Sequence, residues 1–253
     1  MDLVYLILAA VLCSIGGVCI RLLPWTPLAI NGARCAIAAV ITGSYLQRSG
    51  TRFSISYPVL CGALSLCLTT NFYVFSAKLA GASCAVLLLY TAPIWVLLYS
   101  CFVQKQPLHL RAVLCCALVL GGVWLLTADG LHGGAALGIV LGLCSGFAYA
   151  GVFIFGTQCG AKATSAYFFG QVLGALIGFP FLCAERDFSI TAITCALLLG
   201  VFQLGLSYIF MAKGIAKTSA VAASVITVLE PALTPVWVAI FCGDVPPMTT
   251  ILG

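Results

Sequence analysis

Charge is scarce in this chain. Of its 253 residues 7% are Asp, Glu, Lys or Arg, where a soluble domain carries about a quarter. So few charges cannot solvate the surface of a water-soluble fold. They form no basic stripe for nucleic acid either, despite a net charge of +5. Histidine is limited to His109 and His132, and no H-E-x-x-H occurs, which removes the zinc-hydrolase pattern. No G-x-x-x-x-G-K-[ST] is present, so the chain is not a P-loop pump, and no G-x-S-x-G supplies a nucleophile elbow. A TVGYG-like ion filter is also missing. The fourteen cysteines contain no C-x-x-C pair and fall almost entirely in apolar stretches. They read as small hydrophobes, and neither a metal nor another cofactor is expected.

What the chain has is apolar length. It is 63% hydrophobic with a mean hydropathy of +1.20. The apolar residues come in runs of about 20, enough to cross ~30 Å of hydrocarbon as helix. The expected class is an all-α, multi-spanning membrane protein whose medium is the lipid bilayer. Candidate spans are 3–22, 27–46, 57–77, 82–103, 110–127, 135–156, 164–184, 190–211 and 217–241. The first is a span and no signal peptide, since it lacks a basic leader and a small-residue cleavage site. A tenth run opens at Met248 and stops at Gly253, too short to cross, so the expectation is nine spans or a truncated tenth.

Lysine and arginine between the spans set orientation. With a cytoplasmic N-terminus, seven basic residues lie inside: Arg48, Arg52, Lys105, Arg111, Lys162, Lys213 and Lys217. Three lie outside: Arg21, Lys78 and Arg186. Arg34 falls within a span and does not vote.

The chain also repeats itself. "YVFSAK" at 73–78 returns as "YIFMAK" at 208–213, each ending a span and preceding a proline-bearing helix. One register pairs Pro93 with Pro235 and Trp95 with Trp237. The other pairs Pro93 with Pro231 and Gln106 with Asp244. An odd number of spans separates the copies, which makes the repeat inverted, an architecture common among secondary transporters. The halves are taken as 1–128 and 129–253. Two glycine ladders, Gly138, Gly142, Gly146 and Gly170, Gly174, Gly178, are expected to let helices pack closely.

Polar residues inside spans are the candidate site. Glu230 sits mid-span in "SVITVLEPALTPVWV", where a charge costs several kcal/mol unless it faces protein or water. Pro231 and Pro235 each lack an N–H, freeing the carbonyls of Thr227 and Pro231 beside the carboxyl. A kinked, cavity-lining helix is expected. Glu230 binds a proton or a substrate amine, or else braces the bundle through an ion pair. Arg34 either faces the interior or snorkels to the outer interface. Asn71, Tyr90, Tyr149 and Gln203 share a comparable depth and contact either substrate or neighbouring helices.

Taken in order, "GGVCIRLLPWTPLAINGARCAIAAV", "GASCAVLLLYTAPIWVLL", "QPLHLRAVLCCALVLGGVWLL" and "CGDVPPMTTILG" resemble the EamA-type branch of the drug/metabolite transporter superfamily. That resemblance implies two inverted five-helix repeats, ten helices with the last incomplete here, and both termini cytoplasmic. It implies alternating-access transport of small metabolites, amino acids among them, with export as the working direction, across a bacterial plasma membrane. A channel or a non-transporting scaffold is the alternative. Proton coupling and homodimerisation are left open. Gln106 and Asp244 stand where the family usually has glutamate.

Overall fold

Helices start where local chemistry provides a start. A computed structural model describes residues 2–50, 53–105, 114, 117, 121, 134–158, 160–231, 233, 237 and 240. Proline occupies the first turn of α3 (Pro27–Arg48), α4 (Tyr57–Leu79) and α6 (Ala92–Phe102), where its missing N–H costs nothing. Ser189 caps α9 (Ile190–Leu198) by accepting from Ala192 N at 3.3 Å, and Ser219 caps α11 (Ala220–Ile226) from Ala222 N at 3.2 Å. The chain turns from α4 into α5 (Ala82–Leu89) through Gly81 at φ +91°, a conformation costly for any residue with a Cβ.

The remaining helices are α1 (Asp2–Ser14), α2 (Gly16–Leu22), α7 (Gly134–Gly156), α8 (Ala163–Ala184) and α10 (Ser207–Ile215). No strand is found among the described residues. Six stretches are long and apolar enough to cross a bilayer: Leu3–Leu22, Tyr57–Leu79, Cys84–Phe102, Ala136–Gly156, Ala163–Ala184 and Ile190–Ile215. These follow the expected spans closely. Helix α3 has the length to span, about 33 Å for its 22 residues, but carries Asn31 and Arg34. Apart from residues 114, 117 and 121, the expected span 110–127 lies outside the described residues, as do Gln106, Asp244 and the run from Met248.

Between membrane helices the driving force is close contact, because lipid is as apolar as leucine. Helix α4 packs along α7 and α8, and α3 lies along α8. The glycine ladders make these approaches. A Cβ on Gly178 would stand 2.4 Å from Gly32 Cα, one on Gly170 would meet Ala63 O at 2.7 Å, and one on Gly146 would meet Leu88 O at 2.5 Å. Both ladders are therefore packing surfaces, as expected.

Four places depart from regular α-helix. The first span breaks at Ile15, between α1 and α2. The fourth breaks at Tyr90–Thr91, between α5 and α6. Leu199–Leu206 is wound as π-helix between α9 and α10. The last described helix breaks at Thr227–Val228. The two proline helices break alike: Thr91 N bonds Leu88 O at 3.1 Å, and Val228 N bonds Val225 O at 3.2 Å. That equivalence favours the register that pairs Pro93 with Pro231 over the one that pairs it with Pro235.

The two repeat motifs end at opposite ends of the first span. Lys78 Nζ of "YVFSAK" donates to Leu23 O, just past α2. Lys213 of "YIFMAK" lies over the ring of Tyr5, near the start of α1, at 5.4 Å and over that of Tyr45 at 5.2 Å. At the Lys78 end, Glu185 Oε1 accepts from both Thr26 N and Thr26 Oγ1 at 2.8 Å, and Trp25 Nε1 donates to Asp187 O at 2.6 Å. The linker 23–26 is thus tied to the segment after α8.

Candidate functional site

Arg34 and Glu230 are the buried charged side chains among the described residues, at 1% and 4% exposure. Both line one interior cavity. A guanidinium at the middle of a bundle must find acceptors there, and each one found for Arg34 is neutral. Nε donates to Asn31 Oδ1 at 3.1 Å, Nη1 to Gln203 Oε1 at 3.2 Å, and Nη2 to the Thr70 carbonyl at 2.9 Å. The Tyr73 ring lies 5.7 Å from the guanidinium carbon. The alternative that Arg34 snorkels to the outer interface is overturned: the side chain is spent on interior acceptors.

Glu230 follows the Thr227–Val228 break. Tyr90, at the other helix break, donates its hydroxyl to Glu230 Oε2 at 2.6 Å. The expected pair of freed carbonyls needs correcting. Thr227 O is taken by Glu230's own N–H at 3.0 Å, so the helix tightens by one residue there and leaves no open acceptor. Pro235 lies outside the described residues.

Gln203 is presented by the π-helical turn. Widening the helix strands carbonyls, and neighbouring side chains collect them: Gln203 O accepts from Cys13 Sγ at 3.5 Å and from Ser207 Oγ, and Leu204 O accepts from Gln171 Nε2 at 3.0 Å. Gly16 makes room, since a Cβ there would meet Gln203 Nε2 at 1.7 Å. Tyr149 also lines the cavity, with its hydroxyl given only to the Met211 thioether at 3.7 Å.

Four of the six expected site residues, Arg34, Tyr149, Gln203 and Glu230, therefore share one cavity wall, and Tyr90 touches it through Glu230. Asn71 does not join them. Its Nδ2 bonds back to Cys67 O at 2.8 Å in its own helix, one turn earlier. Its helical face is not the one that lines the cavity.

Sequence reasoning missed Cys13, Thr69, Thr70, Tyr73 and Tyr208, all of which line the cavity. For the tyrosines a signal existed: they are the first residues of "YVFSAK" and "YIFMAK", so each repeat contributes one. Tyr73 Oη is buried with no hydrogen-bond partner among the described residues. The cavity encloses about 30 Å³, room for about one or two waters and too little for a metabolite. All its lining residues are buried.

A bundle of membrane-spanning helices closed around one interior cavity that holds a carboxylate, a guanidinium and several tyrosines is a multi-pass membrane protein with an internal polar site. Comparison with known proteins supplies its family. The family model described as the EamA-like transporter family matches residues 2–128 and again 136–253, and the chain belongs to that family. It is thus a membrane transporter built from two matching segments. The chain is similar to an uncharacterized transporter of Clostridium kluyveri, 24% identical over 217 residues that span 79% of this chain and 68% of that protein. A protein known from its crystal structure superposes with a TM-score of 0.79 over 99% of this chain and 91% of its own, at 16% identity, a likeness of fold.

Proposed function

We propose that the protein is a secondary transporter, working as an exporter, that moves small metabolites such as amino acids across a bacterial plasma membrane by alternating access. The observation that carries the reading is the small, buried-walled cavity shared by the two buried charges. A channel needs a continuous wet path, whereas a carrier passes through an occluded state with its site sealed from both sides. Arg34, Tyr90, Tyr149, Gln203 and Glu230 form the substrate site, and Glu230 exchanges a proton or meets a substrate amine. Asn71 is left as a helix-bonding residue.

The same reading takes 1–128 and 129–253 as inverted halves. It is supported by the similar breaks at Tyr90–Thr91 and Thr227–Val228 and by the opposite placement of Lys78 and Lys213. The N-terminus is cytoplasmic, with the Thr26–Glu185 contact forming the outer closure. The test is counterflow. Purified protein in liposomes preloaded with single unlabelled metabolites should take up the labelled form saturably, faster with substrate inside than without. Linear, non-saturating flux without stimulation by internal substrate would make the protein a channel.

A further inference from the structure

We propose that the cavity, once it widens beyond its present volume to admit a solute, takes an anionic group, a carboxylate, on Arg34 and Tyr73, and that this group enters together with a proton that neutralises Glu230. The inference rests on the cavity being the substrate site, as proposed above, and names the chemistry it selects.

The argument begins with counting donors. A guanidinium has five N–H groups: one on Nε and two on each terminal nitrogen. Asn31 takes the Nε hydrogen, Gln203 takes one on Nη1 and Thr70 takes one on Nη2. Toward the described residues one N–H is left on each terminal nitrogen. A carboxylate has two oxygens with which to accept from them. Beside them stands the Tyr73 hydroxyl, buried, partnerless and lining the same cavity. A buried hydroxyl left unsatisfied is costly, and this one lines a space where an arriving acceptor can meet it.

Charge decides what else must happen. The three neutral acceptors of Arg34 leave its positive charge to be balanced across the cavity, whose wall it shares with Glu230. With Glu230 ionised the cavity is neutral overall. Adding an anion would leave one net negative charge in a low-dielectric interior, which is costly. Adding the anion and one proton restores neutrality: the anion replaces Glu230 as the counter-charge of Arg34, and the solvent proton comes to rest on the Glu230 carboxyl. Facing that carboxyl are Cys13 from α1, Arg34 from α3, Tyr73 from α4, Tyr90 from the α5–α6 junction, Tyr149 from α7 and Tyr208 from α10. Arg34 is the one permanent charge in that ring, so Glu230 and the arriving anion compete for it.

The experiment uses three probes of one skeleton, propionate, propionamide and propylammonium, added to the purified full chain at constant ionic strength. Thermal stability reports binding, and a pH indicator in weak buffer reports protons. Propionate should raise the unfolding temperature and draw protons from solution, while propionamide does neither. Tyr73→Phe removes only a hydroxyl that bonds none of the described residues, so it should fold normally and bind propionate about tenfold more weakly. Arg34→Lys keeps the charge without the paired donors and should bind more weakly still. Glu230→Gln should bind propionate with no proton uptake. Stabilisation by propylammonium and not propionate overturns the anion seat yet keeps the cavity as the binding site. Binding of propionate unchanged in Tyr73→Phe and Arg34→Lys overturns the seat as well. Failure of all three probes overturns it too, and if Arg34→Lys then also leaves counterflow of a transported metabolite unchanged, the cavity itself ceases to be the substrate site.

Discussion

Replacing Gly178 by alanine tests whether close backbone contact holds α3 against α8. The added Cβ would lie 2.4 Å from Gly32 Cα and 2.4 Å from Leu28 O. Both are backbone atoms and cannot rotate away. Reaching an ordinary contact near 3.4 Å requires the helices to part by about 1 Å, an overpacking strain of ~1–3 kcal/mol. Alanine returns up to ~1 kcal/mol through its better helix propensity. The control is Gly156→Ala, whose Cβ would meet Ile215 Cγ2 at 3.5 Å and Tyr167 Oη at 3.8 Å, which are normal contacts. There no clash opposes the change, and at the last residue of α7 the propensity gain is at most the ~0.5–1 kcal/mol of a mid-helix position. At about 2–4 °C per kcal/mol for a chain of this size, Gly178→Ala should unfold several degrees below Gly156→Ala in the same detergent. Equal unfolding temperatures would refute the claim that the ladder sets the helix spacing.

Further expectations concern the site and its closure. Glu230→Gln keeps an acceptor for the Tyr90 hydroxyl but leaves buried Arg34 without its counter-charge, so unfolding should come at a lower temperature and flux in liposomes should lose its pH dependence; a pH profile like the wild type's would remove Glu230 from the transport cycle. Tyr90→Phe removes a hydrogen bond to a charged group and should lower stability by ~1–3 kcal/mol, measured by denaturant midpoint, and a neutral result would mean the carboxyl finds another donor. Glu185→Ala unties Thr26 and should expose the cavity from outside, read as faster reaction of Cys13 with an impermeant thiol reagent when Cys13 is the sole cysteine; unchanged reactivity would deny the latch. Arg48→Cys and Lys162→Cys should react only with reagents admitted to the cytoplasm, and labelling from outside intact cells would reverse the topology.

Much of the fold was legible because its signals are long. A run of twenty apolar residues is hard to mistake, and the described spans fall within a few residues of those read from the chain. The site was legible where a charge interrupts such a run, as at Arg34 and Glu230, since only an interior partner or cavity makes that interruption tolerable. Asn71 shows the limit. A span with little amphipathic bias does not say which face a polar residue occupies, and Asn71 lies one residue past Thr70, whose backbone carbonyl reaches Arg34. The Thr227 carbonyl shows another: proline announces a break but not how the backbone repairs it. The π-helix at Leu199–Leu206 has no proline to announce it at all. Its cause lies in neighbours, in Cys13 and Gln171 collecting the stranded carbonyls.

These irregularities are where the site comes from. In hydrocarbon a broken helix exposes backbone groups that nothing outside the protein can satisfy, so breaks survive only against protein or a polar cavity. Each break here supplies the cavity with a neighbouring residue or a direct partner: Ile15 has Cys13 beside it, Tyr90–Thr91 presents the donor to Glu230, the π-turn carries Gln203, and Thr227–Val228 precedes Glu230. Regular helices α3, α4, α7 and α10 supply the rest, with Arg34, Tyr73, Tyr149 and Tyr208. The division is physically sensible. A broken helix can bend at its break for a small change in backbone angles, so residues beside the breaks can move, while those on unbroken helices hold position. On the proposed alternating-access reading, opening the site to either face would swing the Glu230 and Tyr90 segments away from an Arg34 held by Asn31, Gln203 and Thr70. Arg34 would then be the reference point of the proposed cycle, with the groups opposite it setting the state.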